Sequence, residues 1–202
     1  MSQTIDYYFA PNSPWAYLGH QRFADMARAA GAGVRVLPVD LGQVFPVSGG
    51  LPLAKRAPQR QAYRLVELRR FSEFLGIPLT LQPRFFPVAA DPAARLITAV
   101  DQLDGADAAM RLAGATLAAV WAQERNIADD EVLAALLQEQ GLPQQRLADS
   151  QQDAVQERYQ SRTREAIERG VFGSPTYVVD GEMFWGQDRL DFLARKLQVA
   201  AR

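Results

Sequence analysis

Strand-forming sequence is confined to the two ends of this chain, and that placement constrains the fold more than any other feature. At the front, Ile5, Tyr7, Tyr8 and Phe9 make a short aromatic run of strand type, and Val34-Arg35-Val36-Leu37-Pro38-Val39 makes a second. At the back, Thr176-Tyr177-Val178-Val179 and Glu182-Met183-Phe184-Trp185 flank Asp180-Gly181, the strongest hairpin signal in the sequence. A sheet that uses all four runs joins the two ends of the chain, and everything between them must be housed beside or above it.

What lies between reads as helices. Trp15, Leu18, Phe23, Met26 and Ala30 recur at helical intervals until Gly31, so the front reads strand, helix, strand, as a right-handed parallel unit does. Gly42 to Pro58 has the composition of an irregular loop, with Phe45-Pro46, Ser48-Gly49-Gly50 and Leu51-Pro52 breaking any period. A helix from Gln59 to Phe74 carries many arginines, expected as a solvated face, and stops at Gly76-Ile77-Pro78. Leu79 to Val88 is expected extended, because residues before proline avoid helical angles. Asp91-Pro92 predicts a helix with aspartate as its cap, Met110 to Trp121 lies on the stripe of another, and Asp130-Glu131 opens a shorter one. Ser150-Gln151-Gln152-Asp153 approximates a capping box for a helix that ends at Gly170, and Gly186-Gln187-Asp188-Arg189 opens the last. The order is that of an α/β, thioredoxin-like fold with a large all-helical insertion. The thioredoxin-like part covers about residues 1–45 and 165–202 of a single unit 1–202, and the insertion about 55–164.

Ser13 stands at the joint between the first strand and the first helix, as N-cap, with Pro14 at the first helical position. Two roles are open to it. It caps the helix, or it also stabilises an anion such as a thiolate at the positive end of the helix dipole. The chain has no cysteine, which excludes disulfides, thiolate metal sites, a cysteine nucleophile and dithiol redox cycling. Its single histidine, His20, is expected at the surface or its boundary, and no metal site is expected. A net charge of -1 offers no field for nucleic acid or an anionic membrane, no apolar run approaches a membrane span, and a cytoplasmic location is expected.

Three segments together resemble the 2-hydroxychromene-2-carboxylate isomerase family: Ser13-Pro14-Trp15-Ala16-Tyr17-Leu18-Gly19, Gly170-Val171-Phe172-Gly173-Ser174-Pro175-Thr176, and Asp180 to Arg189. That family and the kappa-class glutathione transferases share the DsbA-like fold. The resemblance implies glutathione as cofactor, with the Ser13 hydroxyl donating to its sulfur. Ser13 and Ala16 then occupy the places of the two cysteines of the redox relatives. It further implies a cis peptide before Pro175 with Ser174 pairing to the cysteinyl part, and Gln187 and Asp188 gripping the γ-glutamyl end. Pro46 and Gly50 stand where the family often has lysine and asparagine, while Arg60 keeps the charge of a third family position. Arg60, or Lys55 or Arg56 close by, is thus a candidate for the substrate carboxylate, and Trp15, Phe85 and Phe86 are candidate apolar walls.

The expected activity is glutathione-dependent isomerisation of 2-hydroxychromene-2-carboxylate or a related aromatic carboxylate by reversible thiol addition. Two alternatives stay beside it, a kappa-like glutathione transferase and a non-catalytic thioredoxin-fold module that binds a small ligand. The expected partners are a small aromatic substrate and, at family level, a second copy in a homodimer.

Overall fold

A computed structural model describes residues 3–199, so the outermost residues of the anticipated unit, 1–2 and 200–202, lie outside it. The front of the chain forms β1 (Thr4–Phe9), α1 (Pro14–Ala29) and β2 (Gly33–Pro38). β1 and β2 run parallel, with Tyr7 beside Val36. The back forms β3 (Thr176–Val179) and β4 (Glu182–Trp185), an antiparallel hairpin. Its turn residues Asp180 and Gly181 have φ of 50° and 80°, the left-handed pair that a tight two-residue hairpin turn needs. β3 docks antiparallel on β1 with Tyr7 beside Tyr177, which gives one mixed four-stranded sheet in the order β2-β1-β3-β4.

Both faces are covered over the two central strands, β1 and β3, which is why those read as apolar runs with little alternation. On one face Ile5, Tyr7 and Phe9 pack with Phe23, Tyr177 and Leu96 in the main core. On the other, Tyr8, Leu37 and Val178 meet Ala166 and Val171. The Tyr7 and Tyr177 rings stack at 5.4 Å, and both phenol groups are pushed above their usual range by burial.

Between the two ends lie α2 (Leu41–Ser48), α3 (Pro58–Leu75), α4 (Asp91–Asp104), α5 (Ala106–Trp121), α6 (Asp130–Glu139), α7 (Gln145–Asp149) and α8 (Asp153–Glu168). After the hairpin, a 3₁₀ turn (Gln187–Arg189) leads into α9 (Leu190–Leu197). α4 and α5 pack on each other, and α5 packs along α1.

Several local expectations give way here. The stretch expected as loop from Gly42 to Pro58 contains α2 and a 3₁₀ turn, Leu53–Lys55. Asp40 caps α2 by accepting from the Gly42 N–H at 2.7 Å, and Val44 anchors the helix in the interior. Pro46 stands inside this short helix, where its missing N–H removes one bond of the ladder, that to the carbonyl four residues back. Asp91 is not the cap of α4, since Ala90 holds that place and the Asp91 carboxylate accepts from the Tyr159 hydroxyl at 3.0 Å. Ser150 makes no capping box and instead donates to the Leu147 carbonyl at the end of α7, a five-residue helix too short for periodicity to reveal.

His20 is not at the surface. It is 7% exposed, with Nδ1 paired to the Tyr7 hydroxyl at 3.2 Å and Nε2 to the Met110 carbonyl at 3.0 Å. Gly114 on α5 creates the space, because a Cβ there would stand 2.9 Å from the imidazole. Burial lowers the pKa of His20 to about 4, so the ring is neutral.

Candidate active site

β1 leaves the sheet at Phe9 and turns back through Ala10, whose carbonyl accepts from the Ser13 N–H at 2.9 Å. The Ser13 backbone is extended, which aims its hydroxyl at the free N–H groups of α1. The Ala16 N–H donates to Oγ at 3.2 Å. The same hydroxyl donates to the Ser174 carbonyl at 3.3 Å, long for an O–H···O bond and correspondingly weak. Ser174 answers from its own side, its Oγ accepting from the Ala10 N–H at 2.9 Å. Two serines 161 positions apart in sequence therefore fasten the front of the chain to its back. The Ser174–Pro175 peptide is cis, and the Pro175 carbonyl accepts from the Gly186 N–H at 2.9 Å, which carries the connection on to the 3₁₀ turn.

Ser13 and Ser174 are both buried, at 6% and 9% exposure. No acidic residue sits in the first turn of α1, so nothing within the helix offsets its positive end. A hydroxyl that already accepts from Ala16 and gives its one proton to a distant carbonyl can turn that proton toward an anion at small cost.

A cavity of about 530 Å³ opens beside this junction. Trp15, two residues into α1, forms one side, its ring set edge-on to Phe71 of α3 at 5.9 Å. The 3₁₀ turn forms another with Gln187, Asp188 and Arg189, and Trp185 from β4 stands next to it. Trp185 is positioned by Gly173, where a side chain would collide with its indole, and by Phe172, whose ring centroid lies 4.7 Å away. Gln187 is 2% exposed, yet among the described residues both its amide nitrogen and its amide oxygen lack a partner. Such an orphaned side chain costs stability unless a ligand completes it. Gly19 lets the 3₁₀ turn approach α1, since a Cβ there would stand 2.8 Å from Gln187 Cβ.

The third side is α3 and the residue that leads into it. Of the 18 residues of α3 only Leu68 is buried, so the helix is a wall more than a core element. Arg56, Arg60 and Arg64 line the cavity at four-residue spacing. Arg56 donates from Nε to the Leu51 carbonyl at 2.8 Å. Arg64 lies over the rings of Phe86 and Trp121, at 5.3 and 5.6 Å from their centroids. Partial burial and the charge of Arg56 lower the Arg64 pKa to about 10, which leaves it a cation at neutral pH. Trp121 in turn donates from Nε1 to the Asn12 carbonyl at 3.3 Å, adjoining Ser13.

The residues expected from sequence thus divide into two groups. Ser13, Ser174 and Pro175 make the junction, and Trp15, Arg60, Gln187 and Asp188 line the cavity beside it. Lys55, exposed in the first 3₁₀ turn, is not among the lining residues. Phe86 lies behind Arg64 against Trp121, and Phe85 lies under the Arg84 guanidinium, so neither forms the wall. Arg56, one of the cations of the Lys55 to Arg60 stretch expected near the substrate, does line the cavity, whereas sequence reading missed Arg64, Tyr63, Glu67 and Phe71 and placed Trp185 only in the hairpin strand. The spacing of 56, 60 and 64 was the available signal, but it equally describes a solvated helix face.

The DSBA-like thioredoxin domain model matches residues 4–198. A 2-hydroxychromene-2-carboxylate isomerase of Pseudomonas putida is 35% identical over 195 residues, covering 94% of this chain and 91% of that protein. Glutathione S-transferase kappa 1 of Caenorhabditis elegans is 26% identical, covering 96% of this chain and 90% of its own length. A solved 2-hydroxychromene-2-carboxylate isomerase structure superposes with a TM-score of 0.81 at 29% identity, covering 96% of this chain and 94% of that one. Among the described residues no helix is long and apolar enough to cross a membrane, and no cluster of residues suits a metal ion.

Proposed function

The chain belongs to the DsbA-like thioredoxin domain family and, within it, to the family of the 2-hydroxychromene-2-carboxylate isomerases, and from that premise we propose that it is a glutathione-dependent isomerase of an aromatic carboxylate. The observation that carries this reading is the buried Ser13 hydroxyl at the uncompensated N-terminus of α1, in a chain that has no thiol of its own.

The residues present suit glutathione. The unpaired amide of Gln187 and the Asp188 carboxylate offer acceptors and a donor of the kind that a γ-glutamyl ammonium and carboxylate need. When bound, glutathione supplies a thiolate that adds to an unsaturated acid and leaves again. Ser13 and the α1 N-terminus favour the ionised sulfur, through one hydrogen bond and the helix dipole. Ser174 holds Ser13 in register, and its release of the Ser13 proton costs little at 3.3 Å. Trp15, Phe71 and Trp185 provide aromatic surface for an aromatic substrate.

A kappa-like transfer of the thiol to an electrophile is the second reading, favoured by the kappa relative. Calorimetric titration with glutathione tests the shared site, and no binding at millimolar concentration refutes both activities in favour of a non-catalytic module. Product analysis with a chromene-carboxylate separates the two activities. An isomerase returns free glutathione in full after many turnovers, and a transferase consumes it one for one.

A further inference from the structure

The cavity holds an imbalance of charge that the cofactor reading leaves unexplained. Each of its two carboxylates is balanced by an arginine other than Arg56, Arg60 and Arg64: Glu67 accepts from Arg70 at 2.7 Å, and Asp188 accepts from Arg189 at 2.7 Å. Its guanidiniums on the α3 side are not. Among the described residues neither Arg56, Arg60 nor Arg64 has a carboxylate within ion-pair distance.

These three arginines are unequal. Arg60 is exposed, and among the described residues no hydrogen bond, ion pair or ring contact holds its side chain. Arg64 is partly buried and fixed from behind by two rings, so its fork is oriented before a ligand arrives. Arg56 is tethered to the Leu51 carbonyl, and its own carbonyl accepts from Gln61 at 2.8 Å, so its position too is set. Each is partly stripped of water, and the charge of Arg56 is felt at Arg64. Two held cations that face one space repel each other until an anion enters between them.

We propose that Arg64 and Arg56 together hold the carboxylate of the second substrate, which makes Arg64 the specificity-determining residue of the site. This rests on the glutathione-dependent reading and adds the part of the site that chooses what the sulfur meets. Selection works by rejection as well as attraction, because a neutral congener leaves the two guanidiniums facing each other without a counter-charge. Lys55 stands outside the cavity wall, and Arg60 lacks the ring support that pre-orients Arg64. The substrate ring then falls toward Tyr63 and Phe71 on the α3 side and toward Trp15, which meets Phe71 edge-on.

The test is calorimetric binding of benzylidenepyruvate and of its uncharged methyl ester to the full chain and to Arg64→Met, Arg64→Lys and Arg56→Met, with Lys55→Met as the control. Loss of a charge-assisted contact weakens the acid by about 10- to 100-fold in Arg64→Met. The ester, and glutathione titrated separately, change by no more than about threefold. Arg64→Lys recovers part of the loss, and Lys55→Met behaves as the parent. Arg56→Met leaves the packing on Phe86 and Trp121 untouched, so it reads the clamp even if Arg64→Met unfolds, which thermal melting detects. Equal weakening of acid and ester, or unchanged acid affinity, overturns the proposal. Loss of glutathione binding in Arg64→Met with acid affinity kept also overturns it, by giving the arginines to the cofactor. If glutathione fails to bind the parent chain, the isomerase reading falls, while the contrast between acid and ester still decides the clamp.

Discussion

Replacing Ser13 by alanine separates the two roles that one hydroxyl plays. Ser13→Ala removes the acceptor for the Ala16 N–H and the donor to the Ser174 carbonyl, and it changes nothing else in the wall. The cap is worth about 1 kcal/mol, which in a chain of this size lowers the melting temperature by about 2–4 °C. The weak 3.3 Å bond to Ser174 adds little to that loss. A hydrogen bond to a bound thiolate is worth about 1.5–3 kcal/mol, because one partner is charged. Its loss lowers kcat/KM by about 10- to 150-fold and raises the thiol pKa of bound glutathione by about one to two units, back toward its value of about 8.5 in water. The assay pairs thermal melting with thiolate ultraviolet absorbance of the glutathione complex against pH, and with initial rates on a chromene-carboxylate. Ser13→Thr, which keeps a hydroxyl, retains most of all three. A Ser13→Ala protein that melts 2–4 °C lower but keeps the parent thiol pKa and the parent rate refutes the reasoning, because Ser13 would then only cap α1.

Gln187→Leu is expected to stabilise the free protein by about 1 kcal/mol, since it replaces two buried unpaired amide atoms by carbon, and to weaken glutathione by about tenfold. Melting with and without glutathione measures both, and a stabilised variant with unaltered affinity removes Gln187 from the site. His20 gives the chain a pH dependence of defined sign. Its pKa is about 4 folded and about 6.5 unfolded, so between those values the unfolded chain binds more protons and stability falls as pH drops. From pH 7 to pH 5 the loss from this residue is about 2 kcal/mol, absent at pH 7 and complete below pH 4. Urea unfolding of the parent and of His20→Gln at pH 7 and pH 5 reads it, and equal losses in the two proteins contradict the assignment.

Much of the site's scaffold was legible because its signals are local. A cap, a proline at the first helical position and a two-residue turn act within a few residues of their own backbone, so Ser13, Pro14 and Asp180-Gly181 declared themselves. The same locality misled at Pro46 and at Asp91. A proline or aspartate admits several local roles, and the choice was made by Val44 going inside and by Tyr159 reaching across from α8. His20 was misplaced for a similar reason, since its burial depends on a glycine 94 positions later on a different helix.

By itself the sequence determined that a sheet joins both ends of the chain, that Ser13 stands at the head of the first helix, and that no thiol of this protein takes part in its chemistry. The tertiary structure alone decided that α3 is a wall with only Leu68 buried, that Gln187 is enclosed without partners among the described residues, and that Arg64 rests on Phe86 and Trp121. The physical reason is that propensity and turn chemistry belong to a segment, whereas a cavity is the space left where several segments fail to cover one another. Which arginine faces that space depends on rings that lie 22 and 57 positions further along the chain, and only packing brings them beneath it.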